Sequence, residues 1–147
     1  LEKREIVIPK TIGKAVIYSL NSKNPVALKE VEMILLIEAG NFKRWLEEFK
    51  ELKNKANFVI LFGSLIRNEK EARDIDLLIV ADKKNFNDIR KIIEKRIGLS
   101  NKKIHPLIQT LDNFKNDFNN KNKAIIEIIK TGVVLFGQEE LRETILK

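Results

Sequence analysis

Two aspartates separated by one residue stand at the head of an apolar run. Asp74 and Asp76 precede residues 77–80, which are apolar and of strand length. Because side chains alternate along a strand, both carboxylates point to the same face, about 6.6 Å apart along the strand axis. Mg²⁺ prefers a pair of carboxylates completed by substrate phosphates over a cage of protein ligands alone. The spacing therefore predicts a Mg²⁺ site at Asp74 and Asp76.

A Gly-Ser pair ends the preceding apolar run. Residues 58–62 are continuously apolar and predict a buried strand, after which Gly63 and Ser64 open a short predicted helix. Glycine lets a backbone approach a ligand closely, and the N–H groups at the start of a helix bind phosphate. Arg67 lies three residues after Ser64 on the same helical face, where it could reach a phosphate or remain a solvated surface arginine. These residues predict a phosphate site that faces the metal site.

The ordered pair of motifs resembles the signature of a known enzyme superfamily. Gly63-Ser64 followed by Asp74-Ile75-Asp76 is similar to the motif of the DNA polymerase β-like nucleotidyltransferases, and within them of the minimal nucleotidyltransferase group. In that family the Gly-Ser turn binds the nucleoside triphosphate, the paired aspartates hold the metal ions, and a third carboxylate on a later strand completes the site. The resemblance, over about residues 57–137, implies Mg²⁺-dependent transfer of a nucleoside monophosphate to an acceptor hydroxyl. It also implies a protein acceptor, as in group members that act as antitoxins to HEPN-type toxins.

The third predicted strand departs from the family pattern. Residues 102–110 predict this strand, and His105 stands about where the resemblance would place the third carboxylate. His105 is the only histidine of the chain, and histidine can accept a proton from an attacking hydroxyl or bind a metal. The alternative is a structural histidine in a site that has lost its base. Arg73 also stands where the family usually has a small capping residue.

The remaining pattern predicts an α/β (α+β) fold, a mixed β-sheet flanked by helices. An amphipathic helix over residues 86–97 is closed by Gly98, further helices follow at about 111–118 and 124–130, and a short strand spans 133–136. Pro106 lacks an amide hydrogen, so we expect the 102–110 strand to lie at an edge or to pair incompletely there. We expect a hairpin over residues 1–22, bridging helices over 23–56 and a nucleotidyltransferase domain over 57–147.

The N-terminal third predicts a hairpin and two helices. Residues 4–8 and 14–20 read as strands around a turn at 9–13, and Asn24-Pro25 begins the first helix. Its predicted core residues are Val26, Leu28, Val31, Leu35 and Ile37. A second helix over about 42–55 places Phe42, Trp45, Leu46, Phe49 and Leu52 on one buried stripe.

The hairpin also has a short resemblance to the wing of archaeal-type winged-helix regulators. The resemblance rests on Arg4, Lys10, Lys14 and the run that ends at Asn21, and it would imply contact with DNA. The alternative is an ordinary hairpin that packs against the enzyme domain or a second subunit, as in a homodimer. Together with His105, the wing favours a second function, a non-catalytic nucleotide-sensing or DNA-binding regulator with a degenerate nucleotidyltransferase domain.

Composition narrows the class of protein. The net charge of +7, from 28 basic and 21 acidic residues, favours anionic partners such as nucleotides or nucleic acid, with a generally basic surface as the alternative. The absence of cysteine excludes disulfides and thiolate metal sites. No apolar run approaches the roughly 20 residues of a membrane span, so we expect a cytoplasmic protein with no membrane partner. Because the chain begins at Leu1 and its only methionine is Met33, we expect a natural start upstream.

Overall fold

The structure, a computed structural model that describes residues 1–146, contains a four-stranded mixed sheet and a separate two-stranded hairpin. The strands are β1 (Val7–Ile12), β2 (Ala15–Leu20), β3 (Phe58–Phe62), β4 (Asp74–Val80), β5 (Lys103–Gln109) and β6 (Val133–Phe136). The sheet order is β5-β4-β3-β6, with β4 and β5 parallel and the other neighbours antiparallel. This mixed architecture confirms the α/β (α+β) fold predicted from the sequence.

Helices connect the strands and cover both faces of the sheet. They are α1 (Pro25–Ala39), α2 (Lys43–Glu48), α3 (Ser64–Arg67), α4 (Phe86–Leu99), α5 (Leu111–Asn119), α6 (Lys123–Thr131) and α7 (Gln138–Ile145). Side chains of Asn24, Thr110 and Asn122 cap α1, α5 and α6 by accepting hydrogen bonds from backbone N–H groups of the first turn. Among residues 1–146, no helix has the length and apolar character needed to cross a membrane.

Alternation along β4 divides its side chains between two cores. Ile75, Leu77 and Ile79 face the core that contains the α2 region and α4. Leu78 and Val80 face the other core, which α5, α6 and α7 complete. Asp74 and Asp76 belong to the same alternating set as Leu78 and Val80, so they point to this second face, where they are half-buried. The fold thus leaves the carboxyl-bearing end of β4 only partly covered.

The segment between α1 and β3 corrects the prediction of one continuous helix. It consists of α2 between two 3₁₀ turns, Gly40–Phe42 and Lys50–Leu52. Phe42 and Phe49 leave α-helical geometry, with φ near −110° and ψ above zero. Trp45, Phe49 and Leu52 are nevertheless fully buried, as predicted. The apolar spacing correctly indicated burial, because the directions of side chains in 3₁₀ and α turns differ little over such a short stretch.

Helix α1 begins at Asn24 and Pro25 as predicted, but its apolar side chains do not all enter the core. Val26 and Ile37, which were predicted to be buried, are more than half exposed. Met33, Ile34 and Leu36 are equally exposed. Apolar residues are spread around the whole circumference of the helix, so its pattern could not indicate which side faces the protein. The buried apolar residues of the helix are the small Ala27 and Ala39, which allow close approach to the neighbouring elements.

The hairpin turn lies at residues 13–14 rather than at the predicted 9–13. Ile12 pairs with Ala15, which leaves a two-residue loop in which Gly13 has a φ of 59°. Pro9 stands inside β1, opposite Tyr18, where the open edge of a two-stranded sheet tolerates it. Most side chains of both strands are exposed, so among residues 1–146 neither strand packs closely against the four-stranded sheet and its helices, as one alternative had expected.

Two helices of the second half also differ from the predictions. Helix α4 continues through Gly98 to Leu99, and Ile97 is half exposed rather than part of the core. Helix α7 was not predicted. Its sequence does hold a signal, since Gly137 precedes it and Glu139 and Glu140 lie in its first turn.

A buried carboxylate joins α1 to α7. Glu32 is only 7% exposed and accepts hydrogen bonds from Arg142 Nε at 2.8 Å and Nη2 at 2.5 Å, and from Lys29 Nζ at 2.9 Å. The pKa of the Glu32 carboxyl lies below its ordinary value because Lys29, and then Arg142, donate to the carboxylate and outweigh the effect of burial, which raises it. The ion pair between Glu32 and Arg142 therefore holds α1 against α7.

We predict that Glu32→Gln destabilises the protein by about 1–3 kcal/mol at neutral pH, because it leaves the Arg142 charge without its partner. A carboxyl with a lowered folded pKa contributes stability that is fully present above its unfolded pKa and is lost as the pH falls through the folded pKa. The difference from wild type should therefore shrink below about pH 4.5. Urea denaturation as a function of pH measures it, with Glu38→Gln on the exposed side of α1 as the control.

Candidate active site

The end of β3 and the head of β4 meet at a single close contact. Phe62 pairs with Asp76, and the chain then turns through Gly63, whose φ of 83° and ψ of −154° are rarely adopted by other residues. A Cβ atom at Gly63 would overlap Asp76 Oδ2 and would lie 3.3 Å from Asp76 Cγ. The carboxylate therefore packs directly against the bare backbone of the turn. The two sequence motifs form one site.

The parallel pairing of β4 with β5 brings His105 to the same site. His105 is the register partner of Asp76, and Lys103 is the partner of Asp74. His105 Nδ1 lies 3.4 Å from Asp76 Oδ1. The His105 side chain is 56% exposed and that of Asp76 is 25% exposed, so the imidazole is open to solvent while the carboxylate is held in the sheet. The structure thus places the three predicted catalytic residues side by side on one face.

Two of the three predicted phosphate-binding residues border a depression of about 550 Å³ next to Asp74. Ser64 and Arg67 line it together with the loop that leads to β4, whereas Gly63 lines a different depression on the side of α6. A volume of this size is within the range of small-molecule sites. Helix α3 has only four residues, so its macrodipole is too small to hold a phosphate alone. A phosphate here would depend on backbone N–H groups of the turn and on the charge of Arg67.

Basic residues that the sequence predictions did not assign to the site surround Asp74. Arg73, Lys102 and Lys103 line a second depression that also contains Asp74. The Lys102 ammonium donates to the backbone carbonyls of Glu69 and Ala72 and so fixes the loop before β4. Strand alternation had already placed Lys103 on the face of His105. The contact of Lys102 with the loop left no signal in the sequence because it joins segments about 30 residues apart.

The donor set fits Mg²⁺ bound together with phosphates. Asp74 and Asp76 offer hard oxygen ligands at a half-buried position. Across residues 1–146, no three His, Cys, Asp or Glu side chains come together to hold an ion. An imidazole is a poorer ligand for Mg²⁺ than a carboxylate, so His105 does not substitute for a third one. The residues present therefore suit an ion that takes its remaining ligands from water and substrate.

Comparison with known families assigns this region. Residues 45–141 match the sequence model of the family described as Polymerase beta, Nucleotidyltransferase. The match contains the Gly-Ser turn, both aspartates and His105. Searches of curated proteins and of solved structures gave no match.

We predict that Gly63→Ala destabilises the protein more than Gly13→Ala. Both positions have a positive φ, which costs a non-glycine residue about 1–3 kcal/mol. Nothing lies within 4 Å of a Cβ at Gly13, whereas at Gly63 the Asp76 carboxylate must move, which adds about 1–3 kcal/mol. Urea denaturation of the two variants measures the difference. Equal losses would mean that Asp76 does not pack against the turn.

Proposed function

The chain belongs to the polymerase β nucleotidyltransferase family, and we propose that it transfers a nucleoside monophosphate from a nucleoside triphosphate to an acceptor hydroxyl, with Mg²⁺ as cofactor. The observation that carries the proposal is the packing of Asp76 against Gly63, which brings the carboxylate pair to the Gly-Ser turn, beside a depression of about 550 Å³ that Ser64, Arg67 and Asp74 line. A triphosphate site needs both the carboxylate pair, which holds a cation, and the turn with Arg67, because the negative charge of the phosphates must be offset where they bind.

The proposed reaction assigns a task to each group. Asp74 and Asp76 would hold Mg²⁺, which when bound offsets the phosphate charge and polarises the phosphoryl oxygens. The backbone at Gly63 and Ser64, with the Arg67 guanidinium, would orient the triphosphate. The acceptor oxygen would form a bond to the α-phosphorus as the bond to the bridging oxygen breaks, so that pyrophosphate leaves.

His105 would take the proton of the acceptor hydroxyl. Its exposed imidazole lies beside Asp76, on the open side of the site. A positioned base typically contributes about 10²- to 10⁴-fold in rate. Asp76 would orient the imidazole, in the way that carboxylates orient histidine in other sites.

His105 also supports a second candidate function. It stands at the register position beside Asp76, where the family resemblance places a carboxylate. If transfer requires a third carboxylate there, the site would bind a metal-nucleotide and transfer nothing. The protein would then be a regulator that senses nucleotide, with the hairpin as a DNA contact.

Two partner assignments belong to this proposal. Membership of the minimal nucleotidyltransferase group would make a hydroxyl on a partner protein, such as a HEPN-type toxin, the acceptor. A homodimer would form through the apolar outer face of α1, on which Met33, Ile34 and Ile37 are exposed. A dimer of this kind would leave the candidate site open, since α1 contacts β6 and α7 rather than β4.

We predict that the double change Asp74→Asn and Asp76→Asn abolishes Mg²⁺-dependent binding of nucleoside triphosphate. The amides keep the shape of the carboxylates but remove the charge that holds the ion, so affinity in Mg²⁺ should fall by about tenfold or more. Isothermal titration with and without Mg²⁺ measures this loss. Asp82→Asn with Asp112→Asn, two exposed aspartates outside the site, is the control with equal charge. Unchanged affinity in the first variant would remove the metal site from this position.

We predict that His105→Ala lowers the rate of nucleotide transfer by about 10²-fold or more while triphosphate affinity stays the same. Leu107→Ala, on the same face of β5, should keep the wild-type rate. The regulator alternative predicts the opposite pattern. There the wild type is inactive, and His105→Asp creates activity by supplying the missing oxygen ligand. Measuring release of pyrophosphate by the four proteins separates the two functions.

A further inference from the structure

The loop of residues 68–73 leads from α3 to Asp74 and has few hydrogen bonds of its own. Within it, the Ala72 N–H donates to the Asn68 carbonyl at 3.1 Å, and the Glu71 N–H donates to the Asn68 side chain at 3.4 Å. Ala72 is buried, and the other residues of the loop are exposed. A loop with so little internal support takes its shape from contacts with other elements.

The half-buried side chain of Lys102 supplies such a contact. Lys102 directly precedes β5, and its Nζ donates to the Glu69 carbonyl at 2.9 Å and also to the Ala72 carbonyl. Among residues 1–146, these two carbonyls accept no other hydrogen bond. Their partial negative charges point to one place, so without the ammonium they would repel each other and turn apart toward water. The ammonium therefore sets the shape of the loop.

The two aspartates of the candidate site are not held equally well by the sheet. Asp76 pairs with Phe62 of β3 on one side and with His105 of β5 on the other. Asp74 pairs with Lys103 of β5, but the pairing of β4 with β3 does not extend to it. A strand residue with one paired neighbour is freer to move than one with two. The position of Asp74 therefore depends on the chain that precedes it.

Two successive carbonyls connect the Lys102 contact to Asp74. The Ala72 carbonyl accepts from Lys102, and the next carbonyl, of Arg73, accepts from the Lys103 N–H at 3.1 Å. Ala72, Arg73 and Asp74 line both depressions beside the candidate site. A displaced loop would therefore redirect the Asp74 carboxylate and change the walls of both depressions.

We propose that Lys102 is a positioning residue of the candidate site, whose ammonium holds the loop so that Asp74 stands beside Asp76 and both can bind Mg²⁺. This inference rests on the proposed function and adds to it a residue that contacts neither metal nor nucleotide. Supporting contacts of this kind orient metal ligands, and their loss typically lowers metal affinity by about 10- to 100-fold.

The charge of Lys102 alone would have the opposite effect. An ammonium near two carboxylates repels a divalent cation, so its removal by itself would strengthen Mg²⁺ binding. Loss of the loop contact would weaken Mg²⁺ binding. The direction of the change therefore separates a positioning role from a purely electrostatic one.

The test titrates wild type and Lys102→Met calorimetrically with ATP, GTP, CTP and UTP in turn, at a series of Mg²⁺ concentrations. In Lys102→Met, the Mg²⁺ concentration that gives half-maximal triphosphate binding should rise by about tenfold or more. Lys70→Met is the matched control, because it removes an exposed lysine of the same loop that has no hydrogen-bond or salt-bridge partner among residues 1–146. It should change the Mg²⁺ requirement by less than about twofold. An unchanged or lower requirement in Lys102→Met would overturn the proposal.

Chemical rescue tests the ammonium itself. The chain has no cysteine, so Lys102→Cys introduces a single thiol. Its thiolate displaces bromide from 2-bromoethylamine, and the new carbon–sulfur bond gives a side chain with the length and the ammonium of lysine. The unmodified variant should need as much Mg²⁺ as Lys102→Met, and the alkylated variant should return toward the wild-type requirement. An alkylated protein that shows no recovery would contradict the role of the ammonium.

A measurement without metal or nucleotide separates this inference from the proposed function. Amide hydrogen exchange, followed by NMR, should be faster at the Ala72 and Lys103 N–H groups in Lys102→Met than in wild type, and unchanged at Leu78 in the buried middle of β4. Equal exchange in the two proteins would overturn the positioning role.

The two proposals fail in different ways. If wild type and Lys102→Met bind Mg²⁺-triphosphate equally well, the positioning role fails and the proposed function stands. If wild type binds none of the four triphosphates in Mg²⁺, the proposed function fails, and the exchange rates alone decide whether Lys102 holds the loop before Asp74.

Discussion

The packing of the Asp76 carboxylate against the backbone of Gly63 is the contact on which the candidate site depends. It requires the register in which Phe62 pairs with Asp76, since a slip of one residue would send both aspartates into the opposite core. It also requires a residue without a side chain at the turn. The two carboxylates at the head of β4 help to fix that register, because a slip of one residue would place them against the apolar side chains of the other core. The chemistry of the site is therefore held in place by the hydrophobic core.

Charged groups of both signs surround this contact. Two carboxylates lie in the sheet, and the basic groups of Arg67, Arg73 and Lys103 border the depressions beside them. These basic groups would attract phosphates toward a position where the carboxylates alone would repel them. His105 lies beside Asp76 on the edge strand. His105 is the position at which the two proposed functions differ, because both assign the same tasks to the remaining groups.

The sequence predicted the sheet and the site better than the N-terminal elements. Continuous apolar runs predicted β3 and β4, because a strand buried on both faces is apolar at every position. Pro106 indicated an edge position for β5, because proline cannot donate a ladder hydrogen bond. The family pattern, not the spacing, put His105 at the position of the third carboxylate, and its pairing with Asp76 came from the structure. The exposed face of α1 could not be predicted, since nothing in an all-round apolar helix indicates which side is covered. The contact of Lys102 with the loop before β4 depends on tertiary structure alone.

The mixed topology also implies an order of assembly. Strands β3 and β4 are joined by residues 63–73, so their antiparallel pairing closes a short loop, and it brings Gly63 and Asp76 together. Strand β5 reaches β4 only after the chain has crossed over through α4. Closing the longer connection costs more chain entropy, and parallel pairing of distant strands is correspondingly slow. The aspartate pair and the glycine turn can thus form early in folding as a nucleus, and His105 joins them late. Substitutions along the edge strand will then act mainly on the rate of unfolding, while those at the turn will slow folding itself.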